Sequence, residues 1–272
     1  MISVILVQFN NGGLTVEAVR TLRAFHREAY EIIVVDNGSD DGSSEILRKE
    51  LSDIRIIVNE RNEGFGAANN RAAAEASGDI LLFLNNDTVS TSDYLSRAAQ
   101  IFRSDASLGV LGPRLLFPDN TFQLSAGALP TFWNEAREKA LYALERRNVS
   151  VVRRAAEKYF SQRRDVGWVT GAALLIRRDL FQQIGGYDPL MFMYFEDKDL
   201  CARVSRLGKR VVYDPSMSVV HLKGGSSSGP ARLTARTAYR RSQIRYYEMH
   251  RPGYEQWLLR LYLRLTGRLP HA

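Results

Sequence analysis

Five stretches of this chain set acidic, amide or imidazole side chains directly after apolar runs, where a sheet edge would present them together. Asp36 opens Asp36-Asn37-Gly38-Ser39-Asp40 after an aliphatic run; its carboxylate could accept hydrogen bonds from a nucleobase imide or a ribose. It could equally cap a turn, with Asp40 and Ser43 close by. Residues 59–70, NERNEGFGAANN, are punctuated by Gly64 and Gly66, which would let backbone approach a ligand, and a helix N-terminus there favours a diphosphate. The same glycines could serve only the turn. Asn86-Asp87 ends another apolar run with a carboxylate. That suits Mg²⁺ or Mn²⁺, with a substrate's phosphates completing the oxygen shell, or else an Asn/Asp turn. In FMYFEDKD (192–199), Glu196, Asp197 and Asp199 follow four bulky residues at a helix start. Acidic residues there complement the helix dipole, but burial of the bulky run would also draw a carboxylate into a cleft as general base for a hydroxyl. His221 could join Asp87 as a nitrogen ligand, favouring Mn²⁺, while His26, His250 and His271 read as surface residues. Cys201 has no histidine near it in sequence, so no enzyme nucleophile is evident.

The elements that must position these residues are legible from periodicity. Nearly continuous aliphatic runs at 2–9, 32–35, 54–58, 80–84 and 110–117 predict strands buried on both faces. Helical segments are predicted between them at 15–27, 43–51, 66–76 and 93–102, the first with Val16, Val19, Leu22 and Phe25 as an apolar stripe. Strand–helix alternation implies parallel strands joined by right-handed crossovers, and ligands of such sheets bind beyond the strands' carboxyl ends. Gln8-Phe9-Asn10, the Asp36 cluster and Asn85-Asn86-Asp87 would converge there. The second half is less regular: a hairpin or loop at 119–131, a charged helical excursion at 134–164, a strand at 168–177 and a loop entering a helix at 192–207. Short extended pieces follow at 210–213 and 218–222, then helices at 232–250 and 254–266.

Length and composition fit one or two ordinary globular domains: 272 residues, 45% hydrophobic and 25% charged. A single cysteine fits a reducing compartment, and the first residues read as a strand, not a signal peptide. The net charge of +7 is uneven, for residues 231–272 carry nine Arg against two Glu. Residues 137–164 carry nine Lys/Arg against three Glu, which leaves an acidic body. No zinc-finger or RNA-binding signature accompanies the charge, so nucleic acid is not the expected partner. There is no P-loop and no GxGxxG after the first strand.

Taken in order, QFNN, VVDNGSDDGS, NEGFGAANN, LLFLNNDT, GPRLLFPDN, WVTGAALLIRRDLF, GGYDPLMFMYFEDKDLCARVSRLG and VVHLKGGSS resemble family 2 glycosyltransferases of the GT-A fold, most closely the bacterial rhamnosyltransferase-like branch. The resemblance runs from residue 2 to about 228. It implies a Rossmann-like, mostly parallel mixed sheet flanked by helices, with a catalytic domain at 1–228 and a C-terminal helical extension at 229–272. Within the catalytic domain, 1–117 would bind the nucleotide sugar and 118–228 the acceptor. The implied reaction is an inverting transfer from a nucleotide-diphosphate sugar, dTDP-rhamnose as the leading donor, to a hydroxyl of a glycan or polyprenyl-diphosphate-linked glycan.

By this resemblance Asp36 sits where the family binds the base, with Gln8, Asn10 and Asn37 in the same pocket. Asn62, Gly64, Phe65 and Asn69 lie beside ribose and diphosphate; Asn86 and Asp87 match the end of the DxD-type motif, with Asp87 and His221 as metal ligands. Asp197 matches the catalytic base, supported by Glu196, and Trp168 and Gly171 shape the donor sugar and acceptor sites. The chain departs from the pattern in having one carboxylate in Asn85-Asn86-Asp87, Gln8-Phe9 for the usual Thr-Tyr, and Leu222 where relatives often have a second histidine. Arginines 232, 236, 240, 241 and 245 with tyrosines 239, 246 and 247 could meet anionic lipid, as could Trp257, Leu258, Leu261, Tyr262 and Leu265 between Arg260, Arg264 and Arg268. The alternative is a helix pair packed on the domain or on a second subunit as a homodimer. The expected location is cytoplasmic, with peripheral contact at the inner membrane face. Two other classes remain open at this point, a nucleotidyltransferase and a non-catalytic nucleotide-sugar-binding protein.

Overall fold

The structure is a computed structural model, and it describes residues 1–137, 150–222 and 230–270. The first half alternates as its periodicity requires: β1 (Ile2–Gln8), α1 (Gly12–Phe25), β2 (Tyr30–Asp36), α2 (Ser43–Glu50), β3 (Arg55–Val58), α3 (Phe65–Glu75) and β4 (Ile80–Asn85). Next come β5 (Thr88–Ser90), α4 (Tyr94–Ser104), β6 (Leu108–Leu116), β7 (Phe122–Gln123) and β8 (Ala126–Gly127). The remainder is α5 (Ser150–Tyr159), β9 (Arg164–Asp165), β10 (Trp168–Val169), β11 (Ala173–Arg177), α6 (Arg178–Gln183), α7 (Glu196–Arg206), β12 (Arg210–His221), α8 (Pro230–His250) and α9 (Gly253–Leu265).

The main sheet has the order β3-β2-β1-β4-β11-β6-β12-β5, with β7 on β6 and β9 on β12, while β8 and β10 pair separately. Strands β3, β2, β1 and β4 are mutually parallel and β12 is parallel to β6, whereas β11 runs antiparallel to both its neighbours. This is the mixed, mostly parallel sheet that the resemblance implies. Alternation along each strand divides the core between two faces. Val4, Leu6, Leu82 and Leu84 meet Val16, Leu22, Leu47, Leu95 and Phe102 on one side. Ile5, Leu81 and Phe83 meet Ala68, Ala72, Phe181, Leu200 and Val204 on the other. A third cluster joins Met191, Phe195 and Ala202 to Tyr246, Tyr247, Leu259 and Leu263, so α8 and α9 pack on the segment that enters α7.

Several expectations are corrected. Phe25 leaves the α1 stripe and is 44% exposed, because residues three apart drift by about 60° per step on a helix of 3.6 residues per turn. The strand expected over 168–177 is two, β10 and β11, and the extended pieces at 210–213 and 218–222 are one strand, β12, with an irregularity between Asp214 and Ser218. His26 and His250 are not surface residues: His26 is buried against Asp93 (3.0 Å) and His250 against Asp199 (2.7 Å). His271 lies outside the described residues, as does 138–149 of the charged excursion. Tyr246 and Tyr247 are core residues and cannot meet lipid. Among the described residues no helix is long and apolar enough to cross a membrane.

Because Leu263 is fully buried under α7 and α8, Leu263→Ala should cost about 2–5 kcal/mol in chemical denaturation, the usual toll of a core truncation. An unchanged midpoint would mean that the C-terminal helices do not share the core.

Candidate active site

Parallel register sets Gln8 beside Asp36 and Val7 beside Asn85, so these strand ends are level. The sheet grows from β1 towards β3 on one side and through β4 on the other, and open α/β sheets bind ligands at such a reversal. β12 ends at the same edge with His221, and β11 starts there, Ala173 lying beside Leu84. Four groups of polar side chains result.

The first is centred on Asp36, which is fully buried. Its Oδ1 accepts hydrogen bonds from Gln8 Nε2 (2.6 Å), Ser39 Oγ (2.5 Å) and the Ser39 N–H (3.2 Å), and its Oδ2 accepts one from the Ser44 hydroxyl. Ser39 Oγ in turn accepts from the Asn10 N–H (2.8 Å), and Asn10 Nδ2 donates to Asp40 (3.0 Å). The turn-forming role of Asp36 is therefore visible in full. In the second group Asn37 donates to Asn62 Oδ1 (3.0 Å) and Gly64 O (3.3 Å) and accepts from Asn59 Nδ2 (2.8 Å) and the Glu63 N–H (3.1 Å). One buried amide thus fixes the whole 59–64 loop on the end of β2. Gly64 has φ +89°, and a Cβ on it would lie 2.5 Å from the Phe192 carbonyl oxygen. The Phe65 N–H donates to that same oxygen at 2.9 Å, so the glycine's openness is spent on segment 187–195.

The third group contains Asp87 and His221, with Nε2 to Oδ1 at 3.1 Å. Gln123 Oε1 lies 2.8 Å from His221 Nδ1, an acceptor for a proton on Nδ1; in that tautomer the Nε2 lone pair faces Asp87. An imidazole lone pair facing a carboxylate oxygen suits a shared cation. Asn85 Nδ2 also approaches Nε2 at 3.3 Å, while Asn86 turns away to donate to Thr15 (3.2 Å). No set of three His, Cys, Asp or Glu side chains fit for a metal occurs among the described residues, so Asp87 and His221 would supply two ligands.

The fourth group surrounds Asp197, whose Oδ2 accepts from the Gly171 N–H (3.1 Å) and Oδ1 from its neighbour's Lys198 N–H (2.7 Å). Lys198 Nζ sits 4.6 Å from the Trp168 ring centroid and 4.6 Å from that of Phe195. The groups connect: a Cβ on Gly171 would lie 3.3 Å from Phe65, and Ala172 O accepts from the Asn85 N–H at 2.9 Å. Asp197 and the Asp87–His221 pair thus share one edge, linked through residues 171–172 and Asn85.

Burial sets the electrostatics. Loss of solvent pushes Glu196 up to about 8, with the Asp197 charge adding to the rise, and loss of solvent raises Asp197 also. Among the described residues, several buried polar atoms without a hydrogen-bond partner belong to segments that form this edge, among them Gln8 Oε1, Asn69 Oδ1, Gln123 Nε2, Trp168 Nε1 and Glu196 Oε2, and others lie elsewhere in the fold. Such atoms call for an explanation, and a polar ligand supplies one. Gln123 and Lys198 were missed by sequence reasoning. Gln123 stands in a stretch without periodicity, whereas a lysine inside the acidic FEDKD run was a signal that went unused.

Comparison with known proteins bears directly on this edge. A family model described as Glycosyl transferase family 2 matches residues 3–185. The chain belongs to that family. This glycosyltransferase is 29% identical over 242 residues to N-acetylglucosaminyl-diphospho-decaprenol L-rhamnosyltransferase of Mycobacterium tuberculosis, covering 84% of this chain and 78% of the relative. It is 30% identical to the O-antigen biosynthesis protein RfbC of Myxococcus xanthus, over 74% of this chain and 16% of that protein. Among solved structures, GalNAc-T7 with UDP, GalNAc and Mn²⁺ superposes with a TM-score of 0.67 at 20% identity, covering 91% of this chain and 47% of that one. The mannosyltransferase PcManGT from Pyrobaculum calidifontis, in complex with GDP-Man and Mn²⁺, gives 0.61 at 16% identity, covering 97% and 70%. The glycosyltransferase therefore has the GT-A fold.

Native Glu196 holds a proton that the unfolded chain gives up once pH passes its ordinary value near 4.5, so its contribution to stability is full below that and falls as pH rises to about 8. Glu196→Gln should raise stability at pH 8 by at least about 1 kcal/mol and change it little at pH 5. Thermal melting at the two pH values checks this; an equal shift at both would contradict it.

Proposed function

We propose that this family 2 glycosyltransferase inverts the anomeric centre as it moves a sugar from a nucleotide-diphosphate donor to a hydroxyl of a glycan or polyprenyl-diphosphate-linked glycan. The observation that carries the reading is the half-buried Asp197 carboxylate on the edge it shares with Asp87 and His221. L-rhamnose and a lipid-linked acceptor are the specific choices, supported by the name of the mycobacterial relative, and dTDP as the carrier follows from the family resemblance alone.

In this reading Asp197 is the general base. Two backbone N–H groups fix its orientation, and its burial makes it a stronger base than an exposed aspartate. A single displacement needs no enzyme nucleophile, and Cys201 is unsuited to be one, since burial pushes its thiol far above the ordinary range. Asp87 and His221 would hold Mn²⁺ or Mg²⁺, which when bound neutralises charge on the departing diphosphate. The 62–69 loop would line the ribose and diphosphate, and the nucleobase would rest against Gln8, Asn10 and Asn37, with Asp36 as the buried anchor of that surface. Trp168 and Gly171 border the sugar. Glu196, kept neutral beside Asp197, spares the base a second negative charge. A nucleotide-sugar sensor would have no use for such a base, and a nucleotidyltransferase would need basic residues after β1, where the first is Arg20.

Asp197→Asn should lower kcat by about 10²- to 10⁴-fold while nucleotide-sugar affinity stays within a few-fold. Asp87→Ala should weaken both Mn²⁺ and donor binding by about tenfold or more. Initial rates and calorimetry with dTDP-, UDP- and GDP-sugars measure these effects, and full turnover by Asp197→Asn would refute the base.

A further inference from the structure

Helix α9 has two apolar faces, and packing of the chain accounts for one. Leu259 and Leu263 are buried in the third core cluster. On the opposite side Tyr254 is 63% exposed, Trp257 61%, Leu261 36% and Leu265 79%. Their spacing of three, four and four residues makes a single stripe along the helix. Arg260, Arg264 and Arg268 are exposed beside it. The acidic residue of α9, Glu255, is buried on the inner side, where Arg251 (2.5 Å) and the Phe132 N–H (3.0 Å) hold its carboxylate. Next to Phe132, Trp133 is 69% exposed. Arg260 pairs with the exposed Glu248 of α8 (2.5 Å), and α9 itself presents no carboxylate on this side. A solvent-facing helix surface of aromatic, leucine and arginine side chains is costly to leave in water.

We propose that this outer face of α9 docks flat on an anionic lipid bilayer. Charge selects the occupant. Arginines along an apolar stripe match acidic headgroups, whereas a two-fold partner presenting the same face would bring arginine against arginine. Tryptophan and tyrosine suit the headgroup boundary, where one part of the ring system is dry and the other wet. The contact is peripheral, for no described helix can span a bilayer. The surface lies on α9, away from the residues assigned to the reaction, and gives the transferase a partner that its chemistry alone does not specify.

The test is flotation of the full chain with phosphatidylglycerol vesicles against phosphatidylcholine vesicles, without donor or acceptor, so that it is independent of the transferase reading. The wild type should float with the former, and added salt should weaken binding. Trp257→Glu with Leu261→Glu should lower partitioning at least about tenfold, since each removes an apolar anchor and adds a negative charge. Both side chains are exposed, so melting temperature and donor-sugar hydrolysis should stay at wild-type values. Equal binding to both vesicle types, no flotation, or undiminished binding of the double variant would overturn the proposal. So would sedimentation showing a stable wild-type dimer that the double substitution splits.

Discussion

Burying Phe195 governs the chemistry of this molecule. The ring lies in the core between α7 and α8, and the chain reaches it through two successive left-handed residues, Tyr194 (φ +68°) and Phe195 (φ +65°). Bulky side chains rarely adopt that conformation, and packing must hold it. Everything directly after Phe195 is drawn inward as a consequence, including three carboxylates within one helical turn. The structure answers each charge differently. Asp199 receives Arg203 and His250 and is held below the ordinary carboxylate range despite its burial. Asp197 receives two backbone N–H groups and keeps an open approach. Glu196 Oε2 receives nothing, and neutrality is the remaining solution. Three acids within four residues thereby become an anchor, the proposed base and a proton-bearing neighbour.

A comparable economy governs the nucleotide side. Asp36 and Asn37, consecutive residues at the end of β2, direct their side chains to different loops: Asp36 gathers 39–44 and Asn37 gathers 59–64. Gly38 has φ +78°, and a Cβ there would lie 2.5 Å from the Arg61 backbone, so the two loops close on each other. These bonds hold the loops of the proposed nucleotide surface in place, which would lower the ordering cost of binding. They also explain why the most buried residues of the motif, and not the exposed ones, tie the loops together.

The first-half strands were legible because aliphatic runs buried on both faces leave a continuous hydrophobic trace, and their polar ends marked the site edge. What was hidden depends on partners far away in sequence. His26 and His250 look like solvent residues until Asp93 and Asp199, 67 and 51 positions distant, fold against them. Gln123 carries no periodic signal, yet it meets the His221 ring at 2.8 Å from 98 residues away. The break at 170–172 within an apolar run is invisible locally, because it arises where Thr170 N–H turns to Ser125 O while Ala172 O takes the Asn85 N–H. From the sequence, Gly64 and Gly66 let backbone approach a ligand or serve only the turn, whereas the groups that come close to them are Phe192 and Tyr187 of this chain.

These same long-range contacts tie the C-terminal helices to the segment that carries Asp197. Ser242 Oγ on α8 donates to Met193 O (2.9 Å), Arg245 reaches Asp188 (3.0 Å), and His250 reaches Asp199, two residues beyond the base. α9 adds Leu259 and Leu263 to the cluster that buries Phe195. A force on the outer face of α9 is therefore carried by close-packed side chains into the segment that sets Asp197, because such interiors deform little. If the acceptor hydroxyl is tethered to a lipid, as proposed, height and tilt above the bilayer would decide whether that hydroxyl can meet Asp197. Close-packed linkage between the proposed docking surface and Asp197 would make this distance a property of the fold.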